Sequence, residues 1–140
     1  ARALGLTGLA PAFDYHGETI GCRGRLVRAE PLDAFLARVR RVVNPEAKFL
    51  FRGPDRTVRS VGVCSGGAAE MAAPAAALGC DVLLTGEGGL ADYTVCENLG
   101  FPVVLAGHYR TEVWGVRALA AAAAKSLRVP TVFIDLKIPW

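Results

Sequence analysis

Beyond residue 57 the apolar positions fall into two alternating patterns. Residues 58–64, 81–84, 102–106 and 131–134 are short, nearly continuous apolar runs, the signature of strands covered on both faces. Between them, residues 67–78, 90–99 and 110–127 repeat their apolar positions at helical spacing, which predicts helices. Gly79 and Gly100 stand where two of these helices should stop. Pro74 falls inside the first, so that helix should start late or kink. Strand and helix in alternation predict βαβ units, hence an α/β fold with a mostly parallel sheet and helices on both faces.

The front of the chain is less regular. Pro31 opens a helix in which Leu32, Phe35, Leu36, Val39 and Val43 share one side, and Asn44-Pro45 closes it. Lys48–Phe51 reads as a strand, followed by a turn at Gly53-Pro54-Asp55. Residues 1–30 carry Gly5, Gly8, Pro11, Gly17, Gly21 and Gly24, and this predicts an irregular connecting segment with at most a short strand at 24–27. The α/β domain is therefore expected over residues 31–140. Leu4 and Leu6 resemble the end of a helix, and the only Met is Met71. Both features lead us to expect the C-terminal part of a longer protein.

Composition narrows the class. With 52% hydrophobic residues in 140, the chain is long and apolar enough for a packed core and too apolar for disorder. No apolar run reaches the ~18 residues of a membrane span, and no secretion signal opens the chain. Cys22, Cys64, Cys80 and Cys96 form no C-x-x-C pair, so reduced thiols in the cytoplasm are expected. The net charge of +3 is uneven: residues 23–59 hold ten basic and four acidic side chains, giving +6, and the remainder carries −3. That segment can attract an anion or form a solvated helix face. No aromatic interleaving supports a nucleic-acid platform.

Parallel strands place all their carboxyl ends on one edge, where α/β proteins bind ligands. The turns expected there carry Cys64-Ser65-Gly66-Gly67, Thr85-Gly86-Glu87, His108 with Glu112, and Asp135. His108 and Glu112 are four residues apart at a strand-to-helix junction, about one helical turn. They either cap and charge the helix start or supply imidazole and carboxylate ligands to a divalent cation. Two ligands do not complete a tight site, since catalytic metals usually have at least three protein ligands. Glu87 is either a helix-start acid or a general base beside such a metal. Ser65-Gly66-Gly67 is a tight turn or an anion cradle; Ala68 stands where a P-loop requires Lys. Cys64 fits a buried small hydrophobe, His16 a surface loop, and Asp135 the end of a strand.

The segments Val61-Gly62-Val63-Cys64-Ser65-Gly66-Gly67, Asp81-Val82-Leu83-Leu84-Thr85-Gly86-Glu87 and Ala106-Gly107-His108-Tyr109-Arg110-Thr111-Glu112 together resemble the GTP cyclohydrolase 1 type 2 homologues, also called Nif-three-like dinuclear metal-centre proteins. The closing residues 129–135 fit as well. The resemblance implies one half of a two-lobed α/β fold, assembled as a toroidal homohexamer. It further implies two divalent metal ions per subunit (Zn, Fe, Mn or Co), with His108 and Glu112 as this half's ligands. Histidines and an aspartate of the other half would complete the set, and a nucleotide would be the substrate. The family commonly has a His four residues after the Glu of T-G-E, where this chain has Ala91.

These observations lead us to expect a metal-dependent hydrolase of the cyclohydrolase type, with Glu87 shuttling a proton. The alternative is a non-catalytic metal-binding or regulatory scaffold with the same ring-shaped assembly.

Overall fold

The computed structural model describes residues 1–136 and 138. After a 3₁₀ turn at Arg2–Leu4 come strand β1 (Leu6–Tyr15), strand β2 (Glu18–Pro31), helix α1 (Leu32–Val42), strand β3 (Lys48–Phe51) and strand β4 (Thr57–Val63). A second 3₁₀ turn, Ala69–Met71, leads into helix α2 (Ala72–Ala77). Strand β5 (Val82–Thr85), helix α3 (Leu90–Leu99), strand β6 (Val103–Leu105) and helix α4 (His108–Leu127) complete the order.

All six strands share one sheet, in the order β1-β2-β4-β5-β6-β3. The α/β class is as the pattern predicts, but the sheet is mixed rather than mostly parallel, with two parallel and three antiparallel pairings. Parallel pairing is confined to β4-β5-β6, and β1, β2 and β3 join antiparallel at the two flanks. Alternation along the strands divides the core in two. Val82, Leu84 and Val104 face α1, where Leu32, Phe35 and Val39 are almost wholly buried. Leu83 and Val103 face the other way, onto Ala72 and Ala75 of α2 and Cys96 of α3. Each of these Val, Leu and Phe side chains contributes about 1.5–3 kcal/mol by leaving water.

Three sequence readings are corrected. Residues 1–30 are not irregular: most of them form a long β-hairpin, β1 to β2, turning at Tyr15-His16-Gly17. Two of the glycines that suggested irregularity, Gly21 and Gly24, serve close approach instead. A Cβ at Gly21 would lie 2.5 Å from the Phe13 ring, and one at Gly24 would lie 2.6 Å from Leu9. The helix expected over 67–78 is shorter than those bounds and starts late, as Pro74 led us to expect: a 3₁₀ turn precedes it and Pro74 falls in its first turn, where no intrahelical N–H bond is lost. Residues 131–134 are not a strand. They run back along α4, with Thr131 Oγ1 donating to Ala120 O (3.4 Å) and the Arg117 guanidinium 4.3 Å from the Phe133 ring centre. Val132 and Ile134 point to solvent. Among the described residues, no helix is long and apolar enough to cross a membrane.

Candidate metal centre

Three strand-to-helix turns meet at the carboxyl ends of β4, β5 and β6, and backbone hydrogen bonds tie them together. Gly66, at φ 73°, lies in the left-handed region that glycine enters without steric cost. Its carbonyl accepts from Gly86 N (2.8 Å), Glu87 N (3.1 Å) and Thr85 Oγ1 (3.0 Å). Its N–H donates to Thr111 Oγ1 (3.0 Å) in the first turn of α4. Thr85 is the single fully buried polar side chain among the described residues, and its hydroxyl also accepts from Ala68 N (3.1 Å). Gly86 is packed so closely that a Cβ there would sit 2.6 Å from Gly66 O and 2.7 Å from His108 Cα. The positions of Glu87, His108 and Glu112 are therefore set by backbone rather than by loop flexibility.

The side chains converge on one imidazole. His108 Nε2 lies 3.0 Å from Glu112 Oε1, one turn further along α4. His108 Nδ1 lies 2.8 Å from Glu87 Oε1, across from the β5 turn. All three are open to solvent, with side-chain exposures of 38%, 48% and 53% for His108, Glu87 and Glu112. The hydrogen bond to Glu87 raises the His108 pKa above its ordinary value, the Glu112 charge adds to the rise, and partial desolvation opposes both.

The donor set suits a divalent cation in one direction only. Nε2 and Oε1 face the same space above Gly66, where an added Cβ would meet Glu112 Oε1 at 2.8 Å and His108 Nε2 at 3.2 Å. A methyl group would thus fill the spot a cation would take. Ligands about 2.1 Å from a tetrahedral ion are about 3.4 Å apart, so a small opening of the 3.0 Å pair accommodates one. Glu87 is bound to the opposite ring nitrogen. Among the described residues, no three His, Cys, Asp or Glu side chains are grouped to hold one ion. The chain thus brings two candidate ligands to the point, and neutral nitrogen with carboxylate oxygen suits Zn, Fe, Mn or Co.

His108 and Glu87 stand between two openings. One is a cavity of about 730 Å³ that also takes in Glu46, Lys48, Glu70 and Asp92. The other, about 500 Å³, includes Tyr109, Glu112 and Ile138. Among the described residues, Lys48 is the only Lys or Arg lining the larger one. Five of the nine arginines of the basic segment are engaged elsewhere: Arg38 with Glu30, Arg52 with Asp33 and Asp55, Arg23 with the end of α2, Arg40 with Ala47 O, and Arg56 with Asp81 O and Gly100 O.

The remaining candidates separate from the centre. Asp135 accepts from Tyr109 Oη (2.8 Å) and lies 3.9 Å from Arg110. Cys64 is buried, which pushes its thiol pKa up and away from nucleophilic use. His16 sits at the hairpin tip against Tyr15. Ala91 is exposed on α3, while its neighbour Asp92 caps that helix by accepting Gly89 N–H (2.8 Å). Sequence reasoning missed Thr85 and Thr111, the two hydroxyls that lock the turns. Their only local signal was a Thr beside a glycine in one turn and a Thr beside Glu112 in the other.

Comparison with known proteins places the chain in a family. A family profile described as Duf34/NIF3 (NGG1p interacting factor 3) matches residues 1–138. A Deinococcus radiodurans protein named GTP cyclohydrolase 1 type 2 homolog is 41% identical over 135 residues, covering 96% of this chain and 51% of its own length. A Pyrococcus horikoshii protein of the same name is 34% identical over 134 residues, covering 96% and 53%. The chain thus spans about half the length of these relatives. Among solved structures, protein ybgI, described as of unknown function, superposes with a TM-score of 0.86 at 25% identity over 99% of this chain and 54% of its own. TTHA1606 from Thermus thermophilus gives 0.75 at 28% identity over 99% and 53%. Matched by the family profile over nearly its whole length and by relatives up to 41% identical, the chain belongs to the Duf34/NIF3 family.

Proposed function

We propose that this chain supplies half of a divalent-metal centre in a metal-dependent hydrolase of the cyclohydrolase type. The observation that carries the reading is the convergence of His108 Nε2 and Glu112 Oε1, 3.0 Å apart, on a space kept open by Gly66. The remaining ligands come from the rest of a full-length protein, with two ions per subunit in a cleft between two halves of a homohexamer. The name shared by the Deinococcus and Pyrococcus relatives supports a nucleotide as substrate. When bound, divalent cations supply Lewis-acid activation of water and of a polar substrate group. His108 and Glu112 hold that charge at the mouth of the two cavities, and the glycine turn keeps their geometry fixed.

A second reading, a metal-binding scaffold without turnover, is favoured by one observation. Among the described residues, the larger cavity presents the carboxylates of Glu46, Glu70, Glu87 and Asp92 against the ammonium of Lys48, a field that repels a triphosphate. Metal-loaded full-length protein incubated with GTP and other nucleotides distinguishes the two. Metal-dependent product formation, lost in His108→Ala and Glu112→Gln, is expected for the hydrolase. Bound metal without turnover of any nucleotide overturns it in favour of the scaffold.

A further inference from the structure

We infer that Glu87 is a positioning residue for the metal centre: its carboxylate fixes the tautomer and the ring plane of His108 so that Nε2 points at the cation. This rests on the reading of His108 and Glu112 as ligands and assigns Glu87 a task different from the proton shuttling its sequence position suggests.

Each ring nitrogen of His108 faces a carboxylate oxygen, Nδ1 facing Glu87 at 2.8 Å and Nε2 facing Glu112 at 3.0 Å. A neutral imidazole has one N–H, and a carboxylate can only accept. If Nε2 is to bind a cation, its lone pair must be free, so the proton must be on Nδ1 and donate to Glu87. The geometry allows no exchange of these roles. Glu112 shares α4 and the space above Gly66 with Nε2, whereas Glu87 comes from the β5 turn on the far side of the ring. A histidine ligand that donates its second N–H to a carboxylate is a recurring arrangement, in which the carboxylate orients the ring and raises its basicity.

Glu87 is held for this task. Its amide donates to Gly66 O (3.1 Å), and it forms an isolated parallel bridge with Gly67. A Cβ at Gly67 would lie 3.1 Å from Glu87 Oε1 and 3.3 Å from its Cγ. The paired glycines thus have separate tasks: Gly66 leaves room for the ion, and Gly67 leaves room for the carboxylate that aims its ligand.

The test uses full-length protein, zinc as the probe, and the variants Glu87→Gln, Glu87→Ala, His108→Ala and Glu112→Gln. Zinc affinity is measured by competition with a chelator. The His108 tautomer is read from long-range proton–nitrogen spectra of the zinc-loaded protein. We expect Glu87→Ala to weaken zinc binding about 10–100-fold and to mix the His108 tautomers. Glu87→Gln, whose amide oxygen can still accept from Nδ1, should keep the Nδ1–H tautomer with a smaller loss. His108→Ala should lose more affinity than either. Affinity within twofold of wild type in Glu87→Ala, alongside a large loss in His108→Ala, overturns the positioning role and leaves the metal centre standing. A Glu87→Gln loss equal to that of His108→Ala makes Glu87 a ligand and also overturns it. Unchanged zinc binding in both His108→Ala and Glu112→Gln removes the metal reading, and this inference with it.

Discussion

The first turn of α4 and the four turns that follow it are parts of one helix with opposite surroundings. His108, Thr111 and Glu112 are bound to the β4 and β5 turns through Glu87, Gly66 and the backbone around Gly107. Beyond them Val113 is the one buried residue of the helix, and Leu119 is 71% exposed. The difference teaches where precision is made. Helical propensity in the Ala-rich stretch forms the element, but only the glycine-packed sheet edge determines where His108 and Glu112 point. The site therefore tolerates change along most of α4 and almost none at the turns.

The largest break in that contrast is expected from Gly86→Ala. Its methyl would meet Gly66 O at 2.6 Å and His108 Cα at 2.7 Å, both backbone atoms, so the turns must separate. We expect a loss of about 2–3 kcal/mol, read by urea unfolding, together with loss of metal from full-length protein. Gly66→Ala comes next. A non-glycine residue at φ 73° costs about 1–2 kcal/mol, and its methyl occupies the cation's place. Metal content by elemental analysis should drop to background while the fold survives, and a normal metal content would show that the space above Gly66 is not the site.

Thr111→Val removes the acceptor of the Gly66 N–H and should cost about 1 kcal/mol. A loss indistinguishable from zero would mean that the hydroxyl does not hold the turn to α4.

The pH dependence of His108 is a smaller effect with a definite sign. Its folded pKa is raised, chiefly by Glu87, so its contribution to stability is fully present below the unfolded value, about 6.5. That contribution is lost as pH rises through the higher folded value. Proton NMR titration of the metal-free chain should find His108 above the ordinary imidazole value, and Glu87→Gln should bring it down. An unchanged value in that variant would contradict Glu87 as the cause. At the other end of the comparison, Leu119→Ser on the exposed part of α4 should change the stability of the 140-residue chain by no more than about 0.5 kcal/mol.

Which parts were legible in the sequence follows from how local their causes are. The strand–helix alternation after residue 57 is a matter of period, and it places β4, β5, β6, α3 and α4 within a few residues. His108 and Glu112 form a local pair, four residues apart on a helix. The hairpin was hidden because Gly21 and Gly24 read as breakers, while their cause is the distant side chains of Phe13 and Leu9. Residues 131–134 have the composition of a strand, but pairing requires a neighbour, and the sheet ends at β1 and β3. The Glu87–His108 contact and the Thr85 and Thr111 locks join turns 19 to 45 residues apart, so they emerge only once the sheet has brought those turns together.

The most direct test of the central claim is a crystal structure of zinc-loaded full-length protein with anomalous diffraction recorded at the zinc edge. The account predicts an anomalous peak about 2.1 Å from both His108 Nε2 and a Glu112 carboxylate oxygen, with Glu87 still accepting from Nδ1. A peak on Nδ1 between His108 and Glu87, or no peak beside either ring nitrogen in protein that contains zinc, would contradict it.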